Sequence, residues 1–594
     1  MGHCKGESFC NVPFLDFQGD FAYNIAYSCP TEVITVENML VYHPMHMHLH
    51  AACDHGASMA MYMYNAQMLG MRYIWFTDHD TRTGLKKHPV TGFTFDAPEL
   101  CKEESTGGYH GFRLVDDAIS YSVDPQNKQL TLRFVSENGD AWQGSGIFFA
   151  SSGTRHTAPL AAGVTLALEK LDFTPTADSR LIVDITLSQR PPECEKSHLL
   201  YVLGSTEGLE GVHTQIIPLE NRGGKRIFSI SEDVSEDSRI GGRDNAFDTV
   251  TVRLEARKGA GAVAILGDFQ ICVEKHYEQA HLALKEVAAK VGQQYDITPF
   301  VSFEVSAAGE HKNCFTTSVP TIDYREKNYS VPVWEATEHI KNHGGIFAFN
   351  HPFAIGPLKK KVFSPVERMQ ILAKMLAELI ANRAYGASLL EVGFPEGRNG
   401  FSLEEYVRLW DMLSVSGLFL TGYGGNDCHR DNTGWFAGNN FAAYIGVPAG
   451  LSHPIPEAWF VKAMEKGSVY TGDPVKLRGA VDFRTEGGHP MGSVFLSEDQ
   501  EQVSILFSAE NTRPGWRFRL MENGLEVYSE EITGDSYSHR SQLRLGVTTV
   551  NFQRAELWDE TGRCILLTNP IYLINTKLFA GTLPGQRIVK EATL

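Results

Sequence analysis

The residues best equipped for chemistry in this chain are histidines and carboxylates that recur beside short apolar runs. The first group is His46-Met-His48-Leu-His50, with His55 close behind. The second is Thr77-Asp78-His79-Asp80, which ends the apolar run Tyr73-Ile-Trp-Phe76. Residues two apart on an extended strand share a face, so His48 and His50 are expected side by side. Two neutral imidazoles so placed are a ready pair of ligands for a divalent transition metal. Later runs end in the same residue types. Glu304 closes Phe300-Val-Ser-Phe and is followed by His311; Gly345-Ile-Phe-Ala-Phe-Asn ends in His351; Gly417-Leu-Phe-Leu-Thr-Gly422 leads into Asp427-Cys-His429. Ligands delivered by successive strand ends are how barrel-like α/β proteins build sites, because strand ends converge while loops vary. A lone histidine more often serves as a surface or satisfied core group, and His88, His281, His339 and His489 are set aside on that ground. Cys53 and Cys428 read as small buried residues.

The elements that must position these residues can be read from periodicity. Helices are expected at 58–69, capped by Ser58, and at 277–291, 333–343, 364–384 and 402–414. Short apolar strands are expected at 72–77, 345–350, 388–393 and 417–422. This alternation predicts a parallel α/β sheet or barrel. Glu391, at the end of Leu389-Leu-Glu-Val, occupies another strand end, where it either supports the ligands from behind or lines the pocket, a structural role being equally open. Between 101 and 275 the period changes. Gln129–Val135, Arg180–Leu187 and Asp248–Glu255 alternate apolar and polar residues in the manner of half-buried antiparallel strands. After 476 the chain turns β-rich again, and Asn523-Gly524 between two alternating runs signals a hairpin. The domains predicted are 1–100 as an N-terminal segment and the first part of the barrel, 101–275 as an inserted β-sandwich, 276–475 as the remainder of the barrel, and 476–594 as an immunoglobulin-like β domain.

Composition sets the bounds. A chain of 594 residues is too long for one core. Its 43% hydrophobic and 21% charged content is that of a globular protein. A formal net charge of -18 disfavours nonspecific binding to nucleic acid or to an anionic membrane. The 10 cysteines are scattered without a CxxC pair, which fits reduced thiols and a cytoplasmic location. No apolar stretch reaches transmembrane length, and the N-terminus lacks the apolar core of a signal peptide.

The order of motifs resembles the PHP (polymerase and histidinol phosphatase) superfamily: H-x-H, a further ligand five residues on, T-D-H-D, a glutamate with a following histidine, H-P, and D-x-H. The matching positions are His48, His50, His55, His79, Glu304, His311, His351, Asp427 and His429. His55 departs from members that carry aspartate in a Ser-Asp-Gly turn, although other members have histidine there. The stretch Ala463–Pro474 and the β-rich end are similar to the carbaryl-hydrolase-like branch. The resemblance implies a distorted (β/α)7 barrel with a trinuclear site of divalent Mn, Fe or Zn. It implies one metal on His48, His50, Glu304 and Asp427, a second on Glu304, His311 and His351, and a third on His55, His79 and His429. A hydroxide between two metals would be the nucleophile, with the remaining metal on a substrate oxygen.

Asp78 and Asp80 are candidates to orient ligating imidazoles, and Asp78 is equally a loop cap. Arg82 and Arg430 are candidates for a clamp on phosphate, since guanidinium offers paired donors. Lys312 and Arg398 also lie close to ligands in sequence. The expected function is a phosphoesterase acting on a small phosphorylated metabolite or nucleotide. The alternative keeps the metals and changes the substrate to a carbamate, carboxylic ester or amide. A non-catalytic module of a larger assembly is the third reading. The β-rich regions are expected to serve packing or homo-oligomerisation, or else as a lid or recognition surface.

Overall fold

A computed structural model describes residues 39–50, 58–79, 91–96, 102–105, 108–151, 160–190, 195–234, 240, 247–275, 278–305, 311–318, 333–353, 363–393, 400–428, 441–498, 502–546 and 548–589. Strand dominates the described residues, with 43% strand against 21% helix. The strands expected to close one parallel barrel are divided between two open sheets. One runs in the order Thr298–Val301, Tyr73–Phe76, Leu40–Leu49, Ala442–Pro448, Val469–Gly472, and continues through Cys564–Thr568, Val550–Trp558, Arg517–Glu522 and Leu525–Glu531. The other runs Phe303–Val305, Lys312–Phe315, Ile346–Phe349, Leu389–Glu391, Thr421–Tyr423. Several neighbours are antiparallel: Leu40–Leu49 with Ala442–Pro448, and Lys312–Phe315 with both Phe303–Val305 and Ile346–Phe349. This corrects the (β/α)7 barrel. The helix–strand alternation that pointed to it is present locally, but a period says nothing about which strands pair or in which direction.

The break between the two sheets falls inside the run expected to deliver Glu304. Thr298–Val301 pairs with Tyr73–Phe76 in the first sheet, and Phe303–Val305 joins the second. Ser302 lies at the crossing: its N–H donates to Phe76 O at 2.9 Å, and its hydroxyl accepts from Trp75 Nε1 at 3.0 Å. Glu304 therefore sits on the seam, where an isolated bridge joins it to His79. A second bridge, Leu49 to Cys428, closes the seam on its other side.

The helices follow their sequence signals closely. Met59–Met68 starts at Ser58, whose hydroxyl accepts from Met61 N at 3.1 Å. Pro365–Ala381 and Leu403–Val415 both open with a capping box, Ser364/Glu367 and Ser402/Glu405. The strand expected at 417–422 begins only at Thr421. Gly417 takes φ 82° and Leu418 N donates to Leu413 O, so the start of this stretch closes the end of helix Leu403–Val415 and residues 418–420 lie between helix and strand.

Two large apolar cores result. Residues 91–273 form three antiparallel-rich sheets around one cluster that includes Leu130, Leu132, Leu181, Val183, Leu254 and Phe269. The other cluster mixes chain regions far apart in sequence: Met63, Ile74 and Leu284 pack with Phe483, Phe507, Phe518 and Leu573. The hairpin at Asn523-Gly524 is present, with both residues at positive φ (50° and 82°) as a tight primed turn requires.

Candidate metal centre

Four chain segments meet at the seam and are stitched by main-chain hydrogen bonds. His50 N donates to Cys428 O at 3.1 Å, Asn426 N to Met47 O at 3.0 Å, Thr77 N to Leu49 O at 3.0 Å and Glu304 N to Asp78 O at 3.0 Å. His48, His50, His79, Glu304, His351 and Asp427 are all buried. His48 and His50 do converge, with ring centroids 5.2 Å apart, but not through plain alternation. The strand kinks at His48, which has φ 62°, and its register against Tyr73–Phe76 shifts between His46 and Leu49. His351 (φ 24°) and Asp427 (φ 43°) also sit at positive φ. Side chains other than glycine seldom adopt that region, and where they do, the surrounding structure must hold them there.

The two carboxylates lie at the middle of the imidazoles. Glu304 Oε1 is 3.2 Å from His48 Nε2, 3.2 Å from His311 Nδ1 and 3.6 Å from His351 Nε2. Its Oε2 faces a different pair, His79 Nδ1 at 2.7 Å and His50 Nε2 at 3.8 Å. Asp427 Oδ1 is 3.3 Å from both His48 Nε2 and His50 Nε2, and Oδ2 is 3.7 Å from His351 Nε2. Ligand atoms about 2.1 Å from a shared ion are separated by about 3.0–3.4 Å along the edges of an octahedron or tetrahedron. The contacts of Glu304 Oε1 with His48 and His311, and of Asp427 Oδ1 with His48 and His50, fall in that range. Among the described residues, three groups of donor atoms are close enough to share an ion: His48/Glu304/His351, His48/His50/Asp427 and His50/His79/Glu304. This donor set of imidazoles and carboxylates fits divalent transition metals. The grouping differs from the one the resemblance implies, because His351 shares a group with His48, and His79 shares one with His50 and Glu304.

Burial works against a charged His48, but the carboxylates of Glu391, Asp427 and Glu304 outweigh it and hold the imidazole well above the usual histidine range. Burial likewise opposes ionised Glu304, and the imidazoles of His311, His79 and His351 hold it well below the usual carboxylate range. His46, one turn of the pleat earlier, behaves differently: burial pushes it down to about 3, and its neutral Nδ1 lies 3.1 Å from Asn426 Nδ2.

A layer behind the donors fixes their orientation. Asn350 Oδ1 accepts from Asn313 N at 3.2 Å and from the Tyr423 hydroxyl at 3.3 Å, so its Nδ2 must face Glu304 Oε1, which it meets at 2.8 Å. Glu391 Oε1 lies 2.7 Å from His48 Nδ1, and Oε2 accepts from His351 N at 2.8 Å. Of these, only Glu391 stood out in the sequence. Asn350, Asn313 and Tyr423 carried no signal beyond adjacency to strand ends. The Lys312 ammonium lies over the rings of Phe349 (4.3 Å) and Tyr385 (4.6 Å). Asp78 is buried, and its carbonyl holds Glu304 N. His281, set aside from the sequence, is a buried helix residue against Phe303. His55, Asp80, Arg82, Arg398, His429 and Arg430 lie outside the described residues.

No protein-family profile matches this chain, and no curated protein matches it. Among solved structures it is similar to the glycoside hydrolase domain of Endo-D from Streptococcus pneumoniae R6, at 9% identity and a TM-score of 0.19, over 38% of this chain and 32% of that one. The chain thus spans about a third of that domain's length. It is also similar to a xylan-binding domain, CBM22-1, from Paenibacillus barcinonensis, at 12% identity and a TM-score of 0.17, over 32% of this chain and 97% of that one. Both likenesses are too slight to bear on fold or activity.

Proposed function

We propose that this chain is a metal-dependent hydrolase of phosphoesters, acting on a small phosphorylated metabolite or nucleotide. The observation that carries the reading is the buried Glu304 carboxylate, whose two oxygens face two different sets of imidazoles while Asp427 faces both. A carboxylate so placed can bridge cations, and a polynuclear site suits in-line displacement at phosphorus. The order of donors along the chain, which resembles the PHP superfamily, supports the same chemistry.

Divalent cations bound here would make hydroxide available at neutral pH and offset negative charge on the substrate. The residues of the chain do the rest. Glu304 and Asp427 set the spacing between cation positions. His48, His50, His79, His311 and His351 would hold the cations as neutral ligands, so loading would displace protons. Asn350 keeps Glu304 Oε1 turned inward. Arg82 and Arg430 would grip the phosphate through paired N–H donors. Among the described residues, no helix is long and apolar enough to cross a membrane.

The test is hydrolysis of a nitrophenyl phosphate by manganese-loaded protein, with His351→Ala as the blank. Turnover above the blank supports the reading, and Arg82→Ala and Arg430→Ala should then each reduce it by about 10-fold or more. No turnover from protein that holds its metal would move the substrate to carbamates, carboxylic esters or amides.

A further inference from the structure

Glu391 is fully buried, yet it belongs to none of the three donor groups. Its two oxygens reach two separate ligand segments. Oε1 lies 2.7 Å from His48 Nδ1, and Oε2 accepts from the backbone N–H of His351 at 2.8 Å. Both of those residues sit at positive φ, so each needs an outside hold to keep its conformation. A third segment is keyed to the same carboxylate. A Cβ built on Gly425 would fall on top of Glu391 Oε1, so a side chain there would push that carboxylate out of its place beside His48 and His351.

We infer that Glu391 is the positioning residue of the metal centre: one carboxylate fixes the proton of His48 on Nδ1, leaves Nε2 for metal, and ties the His48, His351 and Asp427 segments into one preset arrangement. The hydrogen bond to Nδ1 decides the tautomer: an ionised carboxylate is an acceptor only, Oε2 already accepts from His351 N, and Oε1 at 2.7 Å accepts from a proton on His48 Nδ1. The bond to His351 N makes the same demand. Glutamine fills the same space but has only one accepting oxygen, so accepting from His351 N turns its NH2 toward His48 Nδ1 and favours the reverse tautomer, with the proton on Nε2.

This inference rests on the metal-site reading, and the experiment separates the two. Manganese alone is titrated into full-length wild type, Glu391→Gln and Gly425→Ala, and the melting temperature of each metal-free protein is recorded. The expected result is a manganese affinity about 10- to 100-fold weaker in both variants, with metal-free melting temperatures close to wild type. Wild type that binds no manganese would defeat the metal-site reading itself. Wild type that binds, with Glu391→Gln binding equally well, would overturn the positioning role alone. If either variant fails to fold, the zinc-loaded wild type decides the matter through nitrogen-15 resonances of its histidines. His48 should carry its proton on Nδ1 and metal on Nε2, and the reverse arrangement would overturn the inference.

Discussion

Glu304 and Asp427 are carboxylates placed where an interior would ordinarily exclude them, and each is met on more than one side by imidazole nitrogen. A buried charge persists only when it is paired or coordinates a metal. Asp427→Ala and His48→Ala should therefore each weaken metal binding by about 100-fold or more while leaving the far-ultraviolet circular dichroism unchanged. Retained affinity in both would remove them from the ligand set. Much of this donor set was legible in the sequence, because histidine and carboxylate stand out at the ends of apolar runs. The pairing within the set was not. His79 joins His50 and Glu304 across a seam between sheets, and no spacing in one chain reports such a seam. Asn350 was invisible for another reason: an asparagine beside a histidine is ordinary until its amide is seen locked by Asn313 and Tyr423.

At the scale of elements, helices were the most legible part, since caps and apolar spacing are local. Ser364 and Glu367 form a reciprocal capping box at the start of Pro365–Ala381. Ser364→Ala should cost about 0.5–2 kcal/mol in urea unfolding, and no change would show that the box contributes nothing there. Strands were legible as segments but not as partners. The run at Phe300–Glu304 looks continuous in sequence, yet it changes sheets at Ser302 because Trp75 and Phe76 hold that residue by its hydroxyl and its N–H. The helix Glu457–Lys466 offers a pH test. Burial pushes the carboxyl of its first residue, Glu457, up to about 7, with Lys285 only partly opposing. The folded state then binds the proton more tightly than the unfolded one. Stability from this group is full below about pH 4.5 and is lost as pH rises through 7. Glu457→Gln should flatten that part of the stability–pH curve, and an unaltered slope would contradict the assignment.

At the scale of the whole molecule, the long sheet carries the first and the last of the described strands together. The 476 boundary is a change of period in the sequence, whereas the core continues across it: Ile74 and Leu284 share one cluster with Phe507 and Leu573. Arg554, on Val550–Trp558, adds a buried clasp by meeting both oxygens of Asp411 on Leu403–Val415, at 2.8 and 2.7 Å. Arg554→Ala would leave Asp411 buried beside Glu556 and should cost about 3–5 kcal/mol. A truncation after residue 475 should yield insoluble protein, and a soluble, cooperatively folding 1–475 fragment would show that the shared core is dispensable. These long-range pairings could not be read from sequence, because the partners are hundreds of residues apart and alternate like any other strands. The central claim, a buried metal centre on Glu304 and Asp427, is tested most directly by elemental analysis of wild type and Asp427→Ala after manganese loading and gel filtration. The account predicts more than one manganese ion per wild-type chain and a clear loss in the variant. A wild type that emerges free of metal, or a variant with equal content, would contradict it.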